Sequence, residues 1–437
     1  MVSEKVSAPV FFGRDVFSDQ PVSLACFAQC MAQLGPFFPD QSDYPPIAMA
    51  VSGGGDSLCL AWLASFWRKN LLALVVDHGL RPESGQEAQQ TIARLQAMNI
   101  PAQLLVLTDL KKGSAMAHRA REARYARLIA ACQEYGCTDL LLGHQADDLA
   151  ETVWMRQNSS SGPEGLAGMG WITVRPDIRL IRPLLGFSRL ALRNTLRQAC
   201  VEWVDDPSNQ DQRAERVRLR LRFLLQENDQ RAHFWKLGMQ SGQLRMCKER
   251  ERAAQLAQHA VMCPEGWAML GSELPDVDVL AALIRSVGGA EYPPAQSAVV
   301  RLKDMATEAT LAGTRFIYHK QQWMLMREEA AMAPAQQAEN GTVWDNRFVL
   351  YLPVSVQKEG LMIAGAGYGL ARKIRNGQQA KFCAVLPALW RAGKRVAVPH
   401  LGWVAENEPD LHGAEFIFRP TVSVSSSNVY GAIAQDS

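Results

Sequence analysis

The first half of the chain alternates between two hydrophobic patterns. Continuous apolar runs at Ile47–Ala50, Leu71–Asp77, 102–107 and 140–143 have the length of strands buried on both faces of a parallel sheet. The segments at 22–34, 58–66, 84–98, 114–135 and 147–155 read as helices. Gly35-Pro36 and Pro45-Pro46 punctuate the start, and Ser84 with Glu87 three residues on matches a capping box. A further strand within 180–185 and a helix over 188–199 extend the series. This βαβ repetition predicts an α/β domain built on a mainly parallel, doubly wound sheet. Ligands in such folds sit at the carboxyl ends of the strands.

Beyond the alternation the pattern changes. Residues 159–170, rich in Ser and Gly, predict a mobile loop able to serve as a lid. A turn at Asp205-Asp206-Pro207-Ser208-Asn209 precedes a segment carrying Arg213, Arg216, Arg218, Arg220 and Arg222, then Arg231. The first domain is assigned 1–230. A mainly helical second domain spans 231–329, with helices at 245–262, Val277–Val287 and 295–307 and a closing hairpin of 314–318 with 323–327. The Ala/Gln-rich run 330–341 reads as a linker, and 342–437 as a small β-containing third domain whose Ser-rich tail from Val422 is expected to be disordered.

Composition sharpens this only in part. A chain of 437 residues with 48% hydrophobic content is long enough for two or three domains. The formal net charge of +2 says nothing of a polyanionic partner, which must be sought in local basic clusters. Nine cysteines without a Cys-x-x-Cys pair indicate neither a zinc nor an Fe-S site, and suit reduced thiols in a cytoplasmic protein. The N-terminal stretch, with Glu4 and Asp15, has no long apolar core, so neither a signal peptide nor a membrane helix is expected.

The richest chemistry lies at Ser52-Gly53-Gly54-Gly55-Asp56-Ser57, between the first strand and its helix. Three glycines let the backbone curl and gather amide N–H groups around an anion, and the following helix adds its dipole. Ser52 and Ser57 offer hydroxyls, and Asp56 a carboxylate suited to Mg²⁺. Asp56 stands where a Walker A loop has Lys, so the design differs from that of the common NTPases. Two other strand ends carry polar groups. At one, Asp77-His78-Gly79 offers a histidine that suits either an ordinary strand end or a base pocket. At the other, Gly143-His144-Gln145-Ala146-Asp147-Asp148-Leu149-Ala150-Glu151-Thr152 puts Asp148 and Glu151 on one helix face. That acidic mouth could hold Mg²⁺ or an ammonium group, with His144 near a phosphate, while the same carboxylates also suit a helix start complementing its dipole. Arg121 and Arg124, three apart on one helix, can face one direction and suit a solvated face, whereas the arginines at 216–222 fit either a solvated face or a grip on RNA phosphates.

The set Ser-Gly-Gly-Gly-Asp-Ser (52–57), Val-Asp-His-Gly-Leu-Arg-Pro-Glu-Ser (76–84), Ala-Arg-Glu-Ala-Arg-Tyr (120–125), Gly-His-Gln-Ala-Asp-Asp-Leu-Ala-Glu-Thr (143–152), Asp-Pro-Ser-Asn (206–209) and Arg-Val-Arg-Leu-Arg (216–220) resembles, in order, the tRNA(Ile)-lysidine synthases of the PP-loop ATP pyrophosphatase family. It covers about the first half of the chain; farther on, 343–348 resembles a C-terminal segment of the family. Two departures are Ser159-Ser160-Ser161-Gly162, where the family has Arg-Gly-Ser-Gly, and Val217, where it has Asn.

The resemblance implies a PP-loop (adenine nucleotide alpha-hydrolase-like) fold. It also implies ligation of L-lysine to C2 of the wobble cytidine in the CAU anticodon of tRNA(Ile), through an adenylated base formed from ATP. It assigns ATP to Ser52, Gly53, Gly54, Gly55, Asp56 and Ser57, with Asp77 and His78 beside the nucleotide, Mg²⁺ to Asp56, and substrate lysine to Asp148 and Glu151. Arg124, His144 and Arg216 would contact phosphate or the activated base. Rival readings are another PP-loop enzyme, such as a tRNA thiolase or an amide-forming synthetase, or a non-catalytic tRNA-binding protein. No membrane partner is implied, and the sequence leaves open a monomer or a homodimer.

Overall fold

The computed structural model describes residues 15–79, 84–107, 116–204, 228–305, 307–425 and 428–430. The chain divides into two compact units, Met1–Cys247 with Ser427–Ser437, and Lys248–Ser426.

In the first unit the apolar runs become strands β1 (Ile47–Ala50), β2 (Leu71–Asp77), β3 (Ala102–Val106) and β4 (Asp139–Leu142), joined by β5 (Ile172–Arg175) and β6 (Ile178–Ile181). Helices α1 (Leu24–Leu34), α2 (Gly55–Trp67), α3 (Ser84–Ala97), α4 (Met116–Glu134), α5 (Ala146–Asn158), α6 (Pro163–Leu166), α7 (Arg189–Gln198) and, as far as Cys247, α8 (Asn228–His259) accompany them. The sheet order is β5-β6-β4-β1-β2-β3, with β1 parallel to both β2 and β4, and β6 parallel to β4. Alternating strand residues face opposite layers. Ile47 and Met49 pack with Phe27 of α1, Leu58 of α2, Leu149 of α5 and Leu192 of α7, whereas Ala48, Leu72 and Leu74 pack with Leu128 and Ala131 of α4. Burial on both faces accounts for the unbroken apolar runs.

The chain proceeds from β1 to β2 to β3, then returns to place β4 on the other side of β1. Between β1 and β4, where the winding direction reverses, loops from two strand ends diverge and leave a crevice. The register pairs Ala50 with Leu142, so the glycine loop and the Gly143-His144 segment leave the sheet side by side.

Several expectations need correction. The edge hairpin of β5 and β6 is antiparallel; β5 alternates apolar Ile172 and Val174 with polar residues and so escaped a reading tuned to continuous runs. Ser84 is not placed before its helix but within it, and its hydroxyl donates to Asp77 Oδ1 (2.6 Å). The 159–170 segment contains the helical turn α6, and Arg156 Nη1 donates to the carbonyls of Gly165 (2.7 Å) and Gly168 (3.2 Å).

The tail expected to be disordered instead places Asn428–Val429 as an antiparallel strand against Ile172 and Thr173 of β5. Tyr430 follows, 2% exposed, packed so tightly on Gly242 of α8 that a Cβ there would lie 2.6 Å from its ring. The open edge of β5 supplies backbone partners, and the Tyr430 ring adds apolar burial.

The second unit joins helices Val277–Val287 and Gln296–Met305 to a five-stranded antiparallel sheet that includes Thr314–His319 and Gln322–Arg327, around Leu283, Val299, Phe316 and Leu325. A further five-stranded sheet and a three-stranded sheet follow. Residues 330–341, read as a linker, carry strand Gln336–Gln337 and the fully buried Ala338. At the tip of the hairpin formed by Val343–Trp344 and Phe348–Tyr351, Asp345 accepts from Arg327 Nε (2.9 Å) and Arg347 Nε (2.9 Å), all three side chains being buried. Burial pulls the Arg347 guanidinium down to about 10 despite Asp345 beside it. The resemblance noted at 343–348 therefore falls on a structural ion cluster.

Candidate active site

The glycine loop turns because Gly53 adopts φ +82°, a left-handed conformation that side chains rarely take, and a Cβ there would meet the Thr91 hydroxyl at 2.3 Å. Gly54 caps α2, whose first-turn N–H groups have no partner within the helix. The loop is braced from inside. The Ser57 hydroxyl accepts from the Ser52 N–H (3.1 Å), donates to the Gly54 carbonyl (3.0 Å) and lies 3.2 Å from the Ser52 hydroxyl. On its outer side the Val204 N–H donates to the Gly53 carbonyl (3.1 Å), and the Trp203 ring lies where a Cβ on Gly55 would reach it at 3.4 Å. The loop is thus held in shape by its own hydrogen bonds and by Val204 and Trp203.

From the neighbouring strand, Gly143 meets this loop closely: a Cβ there would lie 3.0 Å from Ser57 Cα and 3.1 Å from its amide nitrogen. His144 comes next, half-buried, and α5 then begins with Gln145 as its cap. The Gln145 side chain accepts from the Asp147 N–H and Asp148 accepts from the Gln145 N–H (3.3 Å), a reciprocal box that fixes the first turn. Glu151, one turn on, is 1% exposed. Asp148 therefore serves as part of the helix cap, in line with its reading as a helix start.

The residue that unites these parts is Arg189, which the sequence reading passed over. It opens α7 directly after its cap Ser188. Its Nη2 donates to Asp148 Oδ1 (3.3 Å) and lies 3.6 Å from Glu151 Oε1, and its Nε is 3.7 Å from Asp56 Oδ2. Its backbone N–H donates to Asp147 Oδ2 (2.9 Å), whose other oxygen accepts from Arg231 Nη1 (3.0 Å). One sign was present in the sequence: a cation placed at the start of a helix, where the dipole disfavours it, needs acidic company.

These neighbours shift each other. Burial raises the Asp56 carboxyl to about 6, with Asp148 and Asp147 adding to the rise and Arg189 and Arg193 opposing it. Burial pulls the Arg189 guanidinium down, but the carboxylates of Asp148, Asp56, Glu151 and Asp147 more than offset this and hold it charged.

The remaining expected residues stand elsewhere. Asp77 accepts from the Gly79 N–H (2.9 Å) and from Ser84, bonds that hold its carboxyl below the ordinary value, and His78 is half-buried beside it. Arg124 lies on α4 with its guanidinium 5.6 Å from the Tyr125 ring centroid; burial lowers its pKa. Among the described residues its polar partners are Tyr125 and, by repulsion, Arg121 of its own helix. Arg216, Arg213, Arg218, Arg220, Arg222, the Val217 departure and the Asp205 to Asn209 turn lie outside the described residues.

Comparison with known proteins adds a family to this geometry. A family model described as a PP-loop domain matches residues 28–227. A tRNA(Ile)-lysidine synthase of Ruegeria pomeroyi is 31% identical over 398 residues, covering 84% of this chain and 93% of its own length. One from Mesorhizobium japonicum is 32% identical over 403 residues, covering 86% and 87% respectively. Among solved structures, the U34-tRNA thiolase NcsA from Methanococcus maripaludis aligns over 51% of this chain and 79% of its own, with a TM-score of 0.42 and 17% identity.

Proposed function

The chain belongs to the tRNA(Ile)-lysidine synthase family, and from that premise we propose how its residues share the reaction. It is an ATP-dependent ligase that forms lysidine on tRNA(Ile). The finer reading is that the modified base is the wobble cytidine of a CAU anticodon and that the nucleophile is the ε-amine of free L-lysine. Nine free cysteines suit work in a reducing cytoplasm, and among the described residues no helix is long and apolar enough to cross a membrane.

One observation carries the assignment of roles: a single side chain, Arg189, reaches both Asp56 of the glycine loop and Asp148 and Glu151 of α5. A phosphate cradle and an acidic mouth are therefore immediate neighbours. That adjacency is what a reaction needs when one site must activate a base with ATP and then deliver an amine to it.

In the first step the C2 oxygen of the cytidine attacks the α-phosphorus of ATP, the bond to the bridging oxygen breaks and pyrophosphate leaves. The loop of Ser52, Gly53, Gly54, Gly55, Asp56 and Ser57 receives the pyrophosphate through its backbone amides, and Asp77 and His78 flank the nucleotide. In the second step the lysine nitrogen attacks C2, the carbon–oxygen bond breaks, AMP departs and the amine gives up a proton. Asp148 and Glu151 hold the amine, while His144, Arg124 and Arg216 balance the charge of phosphate and activated base.

Mg²⁺ fits this site, since it is bound by one or two carboxylates together with substrate phosphates and waters, and Asp56 beside the loop offers one such carboxylate. When bound it supplies neutralisation of the pyrophosphate charge. The regions after the catalytic domain, 231–329 and 342–437, would contact the tRNA body, allowing discrimination from a methionine tRNA with the same unmodified anticodon.

The test is pyrophosphate release from ATP in the presence of tRNA(Ile). Asp56→Ala abolishes release while tRNA affinity is retained. Full release by that variant would remove Asp56 from the mechanism.

A further inference from the structure

We propose that Arg189 is a positioning residue for the amine step, a built-in counter-cation that aims Asp148 and Glu151 at the incoming ε-ammonium and ties that pocket to Asp56. The inference rests on the assignment of Asp148 and Glu151 to lysine made above.

Three features of the site support it. First, the position works against the residue. A cation in the first turn of a helix opposes the dipole, and here it faces three carboxylates, Asp148 at 3.3 Å, Glu151 at 3.6 Å and Asp56 at 3.7 Å. Second, its backbone is anchored on both sides. Its N–H donates to Asp147 Oδ2, and the preceding Ser188 hydroxyl accepts from the Ala191 N–H (3.0 Å) while donating to the Ser18 carbonyl (2.8 Å). The guanidinium is thereby delivered to one place.

Third, its nitrogens are divided between two subsites, Nη2 toward Asp148 and Glu151 and Nε toward Asp56. Arg189 thereby holds Asp148 and Glu151 oriented before lysine arrives, so the substrate amine meets preset acceptors.

The chemistry of the side chain matters as much as its charge. A planar fork can address three carboxylates at once, whereas a lysine ammonium is a compact point charge on a flexible stem. Arg189→Lys should then restore part of what Arg189→Ala loses, and free guanidinium ion should restore more.

The experiment uses the full-length enzyme with tRNA(Ile), ATP and lysine, and reads two quantities. These are single-turnover pyrophosphate release without lysine, and the lysine dependence of lysine incorporation into tRNA. Arg189→Ala is expected to raise the KM for lysine roughly tenfold to a hundredfold, the loss typical of a buried charged hydrogen bond. Pyrophosphate release, in which Asp56 takes part, falls by a smaller factor than the lysine KM rises. Millimolar guanidinium lowers the lysine KM of Arg189→Ala, and Arg189→Lys falls between parent and Ala variant.

An unchanged lysine KM in Arg189→Ala overturns the inference. So does a joint loss of both readouts that guanidinium does not restore, which would make Arg189 a purely structural residue. Asp148→Asn and Glu151→Gln separate this failure from that of the underlying reading. If these two leave the lysine KM unchanged, the amine pocket itself is misassigned and the inference falls with it. If they raise it and Arg189→Ala does not, only the role of Arg189 is refuted.

Discussion

Gly143 and Ser57 meet across the crevice between β1 and β4 with little room for a methyl group: a Cβ on Gly143 would stand 3.0 Å from the Ser57 Cα. The obstacle is backbone, which cannot rotate away. Ser57 in turn braces the loop through Ser52 and Gly54, so pressure at this point is transmitted to the whole phosphate cradle.

Gly143→Ala should therefore displace the loop by a few tenths of an ångström. The expected outcome is a fall in tRNA-dependent pyrophosphate release of up to about a hundredfold, the scale at which misplacement of reacting groups is felt. Steady-state kinetics with varied ATP, beside a tRNA-binding assay that remains unchanged, checks this. Parent-like release by the variant would mean that the loop has slack which the close approach does not suggest.

Asp56 gives a prediction for stability against pH. Its carboxyl is raised to about 6 in the folded protein, chiefly by burial, with Asp148 and Asp147 contributing; in an unfolded chain it titrates near the ordinary value of about 3.9. Below the lower value both states are protonated and the folded protein keeps the full benefit. As pH rises through the window from about 4 to about 6 the unfolded chain ionises first and stability is lost, by up to about 3 kcal/mol in all. Asp56→Asn removes the titrating group. Without nucleotide or metal, the variant should gain on the parent between pH 4 and pH 7.5 in denaturant unfolding; an equal difference at both pH values would contradict the shift.

Much of the site was legible because its parts are local in sequence. The glycine loop declares itself by composition, and β1 and β2 by runs that the structure reproduces residue for residue. Asp148 and Glu151 could be placed near the loop because strand ends converge in a doubly wound sheet. Arg189 was legible only as a cation at a helix start; its partners lie on α2 and α5, and only the fold brings them together. The strand at Asn428–Val429 escaped for a different reason. Two residues carry no periodicity, and their partner is the edge of a sheet more than two hundred residues away in the chain. Ser57 shows a third limit, as a hydroxyl read as open to a ligand also holds the loop in shape.

The most direct test of the proposed chemistry is incubation of the enzyme with ATP, tRNA(Ile) bearing an unmodified CAU anticodon, and isotopically labelled lysine, followed by nuclease digestion and mass analysis of the wobble nucleoside. A wobble cytidine heavier by one labelled lysine less one water, formed only with ATP and accompanied by AMP and pyrophosphate, is the predicted result. An unchanged cytidine mass while pyrophosphate is released would contradict it, leaving a base-activating enzyme whose nucleophile is not lysine.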